Sequence, residues 1–318
     1  MGHAEMATRL HPSATSLVRY GWAATIFATC ALQGCSVRQL AIRSLGDALA
    51  AGASTYARDD DPELVRDALP FALKTIEGVL TESPRHRGLL EAAASGFTQY
   101  AYAFVECEAD FSEHADLARA TELRQRARKL YLRAREYGSR GIEVGHPAFR
   151  RLLQGDREQA LMQVRKEEVG LLYWTAAAWA ATISISKEDS ELTADLSVVE
   201  AMMERALVLD EGYGGGVIHD FFIAYEGGRP ASAGGSVDRA REHLQKATAL
   251  SKGHRAAPLV TYAETVCVGT QDRVEFQRLL NEALTLDVQL DPDQRLANLI
   301  AQKRARWLLS CADELFVE

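Results

Sequence analysis

Cys35 is the residue whose neighbours most directly predict chemistry in this chain of 318 residues. The stretch Leu32-Gln33-Gly34-Cys35 resembles the lipobox of bacterial lipoproteins, in which a small residue precedes a cysteine that is lipidated and becomes the first residue of the mature chain. Gln33 is an unusual residue for its position in that motif. We expect Cys35 to be the lipidated N-terminus.

The segment before Cys35 has the parts of a secretory signal peptide. Arg9 and Arg19 supply positive charge, and residues 21–32 (GWAATIFATCAL) form an apolar run that is too short for a bilayer span of about 20 residues but typical of a signal peptide. We predict a signal peptide over residues 1–34 and a lipid-anchored periplasmic domain over residues 35–318. Ser36 after the cysteine favours the outer membrane. An unlipidated signal or a buried N-terminal helix stays open.

Aromatic side chains on two predicted helices are candidates for a ligand site. Tyr173, Trp174 and Trp179 lie on one apolar helix. Small-molecule sites are usually apolar walls with a few polar tips. A second helix carries His219, Phe222 and Tyr225 on one face and opens with three glycines that permit close backbone approach, namely Gly214, Gly215 and Gly216. The alternative is that all of these residues belong to the core of a helical repeat.

Motifs for enzymatic chemistry are missing from the sequence. Gly212 and Gly214 have the first spacing of a dinucleotide fingerprint, but Val217 occupies the third glycine position and no strand precedes it. There is no phosphate-binding loop, nucleophile elbow, zinc spacing or calcium loop. The pairs Glu106/Glu108 and Glu167/Glu168 should diverge on helices and be solvated. The sequence therefore predicts no enzyme activity, no cofactor and no metal site.

Charge and cysteine content limit the partners and the compartment. The formal charge is −8, and it becomes −9 when residues 1–34, with two Arg and one Glu, are removed. An acidic surface argues against binding nucleic acid or anionic lipid.

Beyond Cys35 the chain has Cys107, Cys267 and Cys311, an odd number in apolar surroundings. We expect buried free thiols; one disulfide with a spare thiol is the alternative.

Apolar residues recur at helical spacing almost throughout, which predicts an all-α fold. One helix should start at Pro62, after Asp61 as N-cap, and Pro70 should kink or divide it. The other predicted helices span residues 37–57, 89–107, 115–137, 156–185, 196–209, 213–225, 237–251, 258–267, 274–286 and 292–316, with a short one after Pro147. Residues 169–186 are uncharged, and with two Trp in mid-segment they indicate a buried central helix, not a membrane span.

Three helix ends repeat one pattern, with Ala after a charged residue and Leu three residues later. The alanines are Ala206, Ala247 and Ala283, at spacings of 41 and 36 residues. Small residues at fixed positions let paired helices pack closely, so these alanines should be buried at helix crossings. We predict degenerate helical hairpin repeats, similar to tetratricopeptide repeats, in one compact domain.

The ordered set of these stretches resembles the T-component family of TRAP transporters, the TatT proteins, which are periplasmic lipoproteins associated with tripartite ATP-independent transporters. The stretches that carry the resemblance are the lipobox at Cys35, RKLYLRAREYGSRG from Arg128, LLYWTAAAWAATIS from Leu171, ERALVLDEGYGGGVIHDFF from Glu204, GGSVDRAREHLQKATALSKG from Gly234, VTYAETVCVGTQDRVEFQRLLNEAL from Val260 and RLANLIAQKRARWLL from Arg295.

The resemblance implies a helical repeat fold, a periplasmic substrate-binding protein as partner, and a homotrimer around apolar pore-like channels. By analogy the ligands would be small organic acids or hydrophobic molecules. Because the resemblance covers them, Tyr262, Gln271 and Asp272 join the candidate site; the alternative for Asp272 is that it only caps the next helix. The competing hypothesis is a scaffold lipoprotein for envelope assembly without a ligand cavity. A packed core around Tyr173, Trp174 and Trp179 would favour the scaffold.

Overall fold

Capped helices build the part of the chain that the structure describes. The computed structural model describes Met1 and residues 44–317, and within these residues it contains helices and turns but no strand, which confirms the all-α prediction. The predicted signal peptide over residues 1–34 and the lipidation site Cys35 lie outside the described residues. Gly46–Glu318 forms one compact unit.

The helices are numbered here in chain order, after a helical stretch at residues 44–51. They are α1 (Ala53–Ala57), α2 (Pro62–Glu82), α3 (Arg87–Ala101, continued by a π-helical turn at Tyr102–Glu106 and by Cys107–Ser112), α4 (Leu117–Gly145), α5 (Phe149–Gly155), α6 (Arg157–Met162), α7 (Val169–Ser184), α8 (Ser190–Ala194), α9 (Leu196–Leu209), α10 (Val217–Gly227), α11 (Val237–Leu250), α12 (Ala257–Tyr262, continued by a π-helical turn at Ala263–Cys267 and by Val268–Thr270), α13 (Arg273–Thr285), α14 (Arg295–Ser310) and α15 (Ala312–Leu315).

Local sequence explains several helix starts. The Asp61 carboxylate accepts hydrogen bonds from the backbone N–H groups of Glu63 and Leu64, both at 3.0 Å, and Pro62 occupies the first turn, as predicted. Asp272 caps α13 in the same way, at 3.0 Å from the N–H of Glu275. Such caps satisfy donors that no helical carbonyl can reach.

Several predicted helix boundaries are wrong; α4, for example, ends at Gly145 and not at residue 137. Pro70 lies within the continuous α2 and does not divide it; the carbonyl that loses its partner belongs to Arg66, an exposed residue, and a kink at Pro70 stays a prediction. The predicted helix over residues 156–185 is broken between α6 and α7. At that break the backbone of Arg165 is extended, and its N–H donates to the Glu168 carboxylate at 2.9 Å. The buried Glu168 side chain therefore stabilises the break.

Close helix contacts form the core around α7. A Cβ atom added at Gly138 of α4 would lie 2.1 Å from the Thr175 Oγ1 of α7, and one at Gly141 would lie 2.4 Å from Leu171. These glycines let α4 and α7 approach closely, and α9 packs on another side of α7. The prediction of a buried α7 is confirmed by its buried leucines, alanines and threonines. In the region that the structure describes, no helix has the length and apolar content needed to cross a membrane.

The three alanines of the predicted repeat are all fully buried: Ala206, Ala247 and Ala283 each have 0% exposure. Their burial agrees with close helix crossings; the likeness to tetratricopeptide repeats stays a prediction. Cys107 and Cys267 are buried free thiols, whereas the free thiol of Cys311 is only partly buried. The chain turns between α9 and α10 at Gly214, Gly215 and Gly216, whose φ values of 57°, 71° and 88° favour glycine.

Candidate functional site

A cavity of about 910 Å³ lies between helices α2, α3, α7, α12 and α14. The segment over residues 48–57, which includes α1, borders another side of it. Leu69 and Ile76 of α2 contribute apolar surface, and Leu296 and Ile300 of α14 contribute more. The cavity is large enough for a small organic molecule, because ligand pockets commonly measure about 300–1,000 Å³.

One part of the wall is aromatic. The rings of Tyr173 and Trp174 meet edge to face with centroids 4.9 Å apart, and Tyr213 lies 5.5 Å from Tyr173. All three side chains line the cavity. Burial raises the pKa of the Tyr173 hydroxyl above its ordinary value and the pKa of Tyr213 to about 12. Both hydroxyls therefore stay protonated at neutral pH and act as neutral hydrogen-bonding groups.

Arg255 lies in the wall beside these rings, but its guanidinium group is already engaged. Its two terminal nitrogens donate to the two oxygens of Asp220, one of them at 3.2 Å, and Nη1 also lies 3.4 Å from the Gly215 carbonyl oxygen. Arg255 is 7% exposed. Burial raises the pKa of Asp220, and the Arg255 charge opposes that rise. The pair is a buried ion pair in which both terminal nitrogens of the guanidinium group face the Asp220 carboxylate.

Two π-helical turns bring acidic groups into the same cavity. The turn Tyr102–Glu106 of α3 and the turn Ala263–Cys267 of α12 place Tyr102, Glu106 and Glu264 in the wall. Such turns are rare and often occur at functional sites, because the extra residue changes the direction of the side chains that follow. We call Tyr102, Glu106 and Glu264 the acidic end of the cavity.

Glu106 is the carboxyl group with the most altered chemistry at this end. The Tyr131 hydroxyl donates a hydrogen bond to it, and both side chains line the cavity. The pKa of Glu106 is raised to about 7, and burial is the largest cause; the charges of Asp110 and Glu264 add to the rise, while the Tyr131 hydrogen bond and the Arg304 charge oppose it. Glu106 therefore exchanges a proton near neutral pH.

Glu264 is held by Arg304 of α14. The Arg304 Nε donates to one Glu264 oxygen at 2.8 Å, and its Nη1 donates to Asp110 of α3 at 3.0 Å. Arg304 is only 8% exposed. Residues that are far apart in the chain thus meet at this end of the cavity.

Three of the twelve ligand-site candidates from the sequence lie in the cavity wall: Tyr173, Trp174 and Gly214. The other candidates lie elsewhere. Trp179 packs under the Arg135 guanidinium, 4.6 Å from its ring centre. Gly215 and Gly216 form the turn before α10. Their place in the fold supports a packing role for them.

The remaining candidates also have structural partners outside the cavity wall. His219 is fully buried, with Nδ1 2.8 Å from the His243 Nδ1, and it does not reach the cavity as expected. Phe222 and Tyr225 pack in the central core and Tyr262 in the C-terminal core. The Gln271 amide donates to the Leu315 carbonyl at 3.1 Å, and Asp272 caps α13.

Sequence reasoning missed the acidic end. It treated Glu106 and Glu168 as solvated, and the structure corrects both: Glu106 lies in the cavity wall, and Glu168 is 4% exposed with His146 Nε2 at 2.9 Å and Arg87 at 3.0 Å. A signal was present, because Glu106 interrupts an apolar run between Val105 and Cys107. The residues that surround Glu106 in the folded protein could not be identified from spacing along the sequence.

The fold and the site define a class: an all-helical protein with a mainly apolar cavity that has one acidic end. Within residues 44–317, no three His, Cys, Asp or Glu side chains are placed to hold a metal ion. Residues 58–316 match the family of the TRAP transporter T-component, TAtT. The chain belongs to this family, so it is an accessory component of a TRAP transport system and not a member of an enzyme family.

The chain is similar over most of its length to a protein from Treponema pallidum (strain Nichols). It is 30% identical over 311 residues, which cover 92% of this chain and 96% of the relative, and it is described only as an uncharacterized protein. The similarity therefore extends over nearly the whole of both chains.

Proposed function

We propose that this protein is a lipid-anchored periplasmic component that binds the substrate-binding subunit of a TRAP system and holds a small apolar or organic-acid ligand in its cavity. Family membership supports the transport role. The observation that carries the ligand proposal is the cavity of about 910 Å³, whose walls are mainly apolar with a few polar groups. The scaffold alternative loses support because Tyr173 and Trp174 face this cavity.

The segment over residues 48–57 would be the entrance. It lines the cavity, and its far end is joined to α14 by exposed contacts. Arg58 Nε lies 2.6 Å from Asp293 Oδ1, and Arg295 Nη1 donates to the Arg58 carbonyl at 2.9 Å. Exposed ion pairs contribute about 0–1 kcal/mol. The α1 end of the segment would therefore separate from α14 at small cost and admit a ligand, while Leu49 and Ala50 at its other end stay packed against the core.

Filling the cavity tests the ligand proposal. Ala177 on α7 and Ala297 on α14 line different walls, so Ala177→Phe and Ala297→Phe should both reduce the binding of 1-decanol measured by calorimetry. Ala118→Phe, at an exposed position of α4, is the matched control and should leave binding unchanged. Decanol that binds equally to all four proteins would refute a ligand cavity.

Native mass spectrometry tests the assembly. The lipidated protein should carry its TRAP substrate-binding protein through purification, and the homotrimer implied by the family resemblance should appear as the main species. A monomer that never co-purifies with that partner would argue for a role outside the transport complex.

A further inference from the structure

The cations near the acidic end are already paired. Arg304 donates to Glu264 and Asp110, and Arg124 donates to the same Asp110 at 3.1 Å and to Glu113 at 2.9 Å. These contacts form a chain of alternating charges: Glu264, Arg304, Asp110, Arg124 and Glu113. It contains three carboxylates and two guanidinium groups, so one negative charge has no compensating cation. Glu106 adds a further carboxyl group to this end of the cavity.

The cavity wall also has unused hydrogen-bonding capacity at this end. Glu106 receives a hydrogen bond from Tyr131, but no cation lies within ion-pair distance of it in the described part of the chain. A carboxylate can accept about four hydrogen bonds, so acceptor positions remain. The Tyr102 hydroxyl has no hydrogen-bond partner among residues 44–317, although the charges of Arg304, Glu264 and Glu106 act on it.

A ligand carboxylate would find no free cation in the wall. Arg255 is the one Lys, Arg or His side chain among the described residues that line the cavity, and Asp220 already compensates its charge. A ligand carboxylate would either share this guanidinium group with Asp220 or displace Asp220, and in both cases one carboxylate would lack a compensating cation. An uncompensated buried charge is strongly unfavourable.

From these contacts we propose that the cavity binds an apolar molecule with a protonated amine head, which Glu106 and Glu264 hold at the acidic end while the apolar body lies between α2 and α14. This inference rests on the proposed ligand cavity and narrows it. It selects an apolar amine over the organic acid that analogy with TRAP systems suggests. The amine would donate charge-assisted hydrogen bonds to Glu106. The Tyr102 hydroxyl would accept a further hydrogen bond from the amine or donate one to a carboxylate.

Release of a proton from Glu106 when the amine binds is a second measurable consequence of the proposal. The groups that act on Glu106 are Tyr102, Tyr131, Cys107, Asp110, Glu264 and Arg304. A cation beside Glu106 lowers its pKa from about 7, so an amine that binds at pH 7 should release about half a proton. Amines of this kind have a pKa near that of lysine, about 10.4, and stay charged.

Calorimetry with three ten-carbon probes tests the inference: decylamine, 1-decanol and decanoate, below their solubility limits. In the native protein the amine should bind at least about tenfold more tightly than the alcohol, and decanoate more weakly than either. Titrations in two buffers of different ionisation enthalpy should show proton release with the amine and none with the alcohol.

Variants assign the effect to the acidic end. Glu106→Gln should remove the preference for the amine and its proton release while the alcohol binds as before, which also shows that the cavity is intact. Glu122→Gln, at a side chain that is 71% exposed, is the matched control and should behave like the native protein.

The outcomes separate this inference from the proposed function. Equal binding of amine and alcohol, or tightest binding of decanoate, would overturn the amine site and leave the ligand cavity standing. A preference for the amine that survives in Glu106→Gln would also overturn it. If no probe binds, both the amine site and the ligand cavity fail.

Discussion

Replacing Glu106 with Gln should change how the stability of the ligand-free protein depends on pH. The pKa of Glu106 is raised by burial from 4.5 to about 7. A raised pKa means that the folded state favours the protonated carboxyl. The stability that comes from this group is fully present below about pH 4.5 and is lost as the pH rises through 7.

The size of the effect follows from the two pKa values. The difference between 4.5 and about 7, at about 1.4 kcal/mol for each pKa unit, corresponds to about 3 kcal/mol. Glu106→Gln keeps an acceptor for the Tyr131 hydroxyl but cannot ionise. The variant should therefore have nearly native stability at pH 5 and be more stable than the native protein by about 3 kcal/mol at pH 8.

Urea unfolding of both proteins at pH 5, 6, 7 and 8 measures this difference. The pH dependence of the native protein alone does not isolate Glu106, because His219 also contributes to it. Burial lowers the pKa of His219 to about 4, so the stability linked to this histidine rises with pH up to about 6.5. Subtracting the two proteins removes the histidine contribution. Glu122→Gln serves as the surface control. A difference between native protein and Glu106→Gln that stays constant from pH 5 to 8 would refute the reasoning.

The other predictions concern packing and the anchor. Gly138→Ala should destabilise the protein by about 1–3 kcal/mol in thermal or urea unfolding, because its Cβ would lie 2.1 Å from Thr175 Oγ1. Gly78→Ala, also within a helix but with no neighbour within 4 Å, should instead stabilise by about 0.5–1 kcal/mol, so equal effects would contradict the packing argument. Ala247→Leu should cost about 1–3 kcal/mol at a fully buried position, and a neutral result would exclude a close helix crossing there. Cys35→Ser should abolish labelling with radioactive palmitate, and unchanged labelling would rule out lipidation at Cys35.

Local interactions made much of the fold predictable. Asp61 and Asp272 cap helices through N–H groups two or three residues away, and apolar spacing within each helix indicated which face is buried. The same short-range patterns, taken in order along the chain, were sufficient to indicate the family. The helix boundary at Glu168 was not predictable, because the Glu168 side chain is also held by His146, just after α4, and by Arg87 of α3, both far away in the sequence.

The acidic end of the cavity was decided only by tertiary structure. Glu106 and Glu264 lie 158 positions apart, and Arg304, which contacts Glu264, also contacts Asp110, 194 residues away from it in the chain. Spacing along one helix places residues on a face, but it cannot show which distant helix covers that face. Tyr173 and Trp174 were identifiable as aromatic residues of a buried helix, yet only the arrangement of α2, α3, α7, α12 and α14 leaves a cavity beside them. Burial also changes the chemistry of Glu106, because a carboxylate that is solvated in an isolated helix becomes costly to ionise when other helices exclude water.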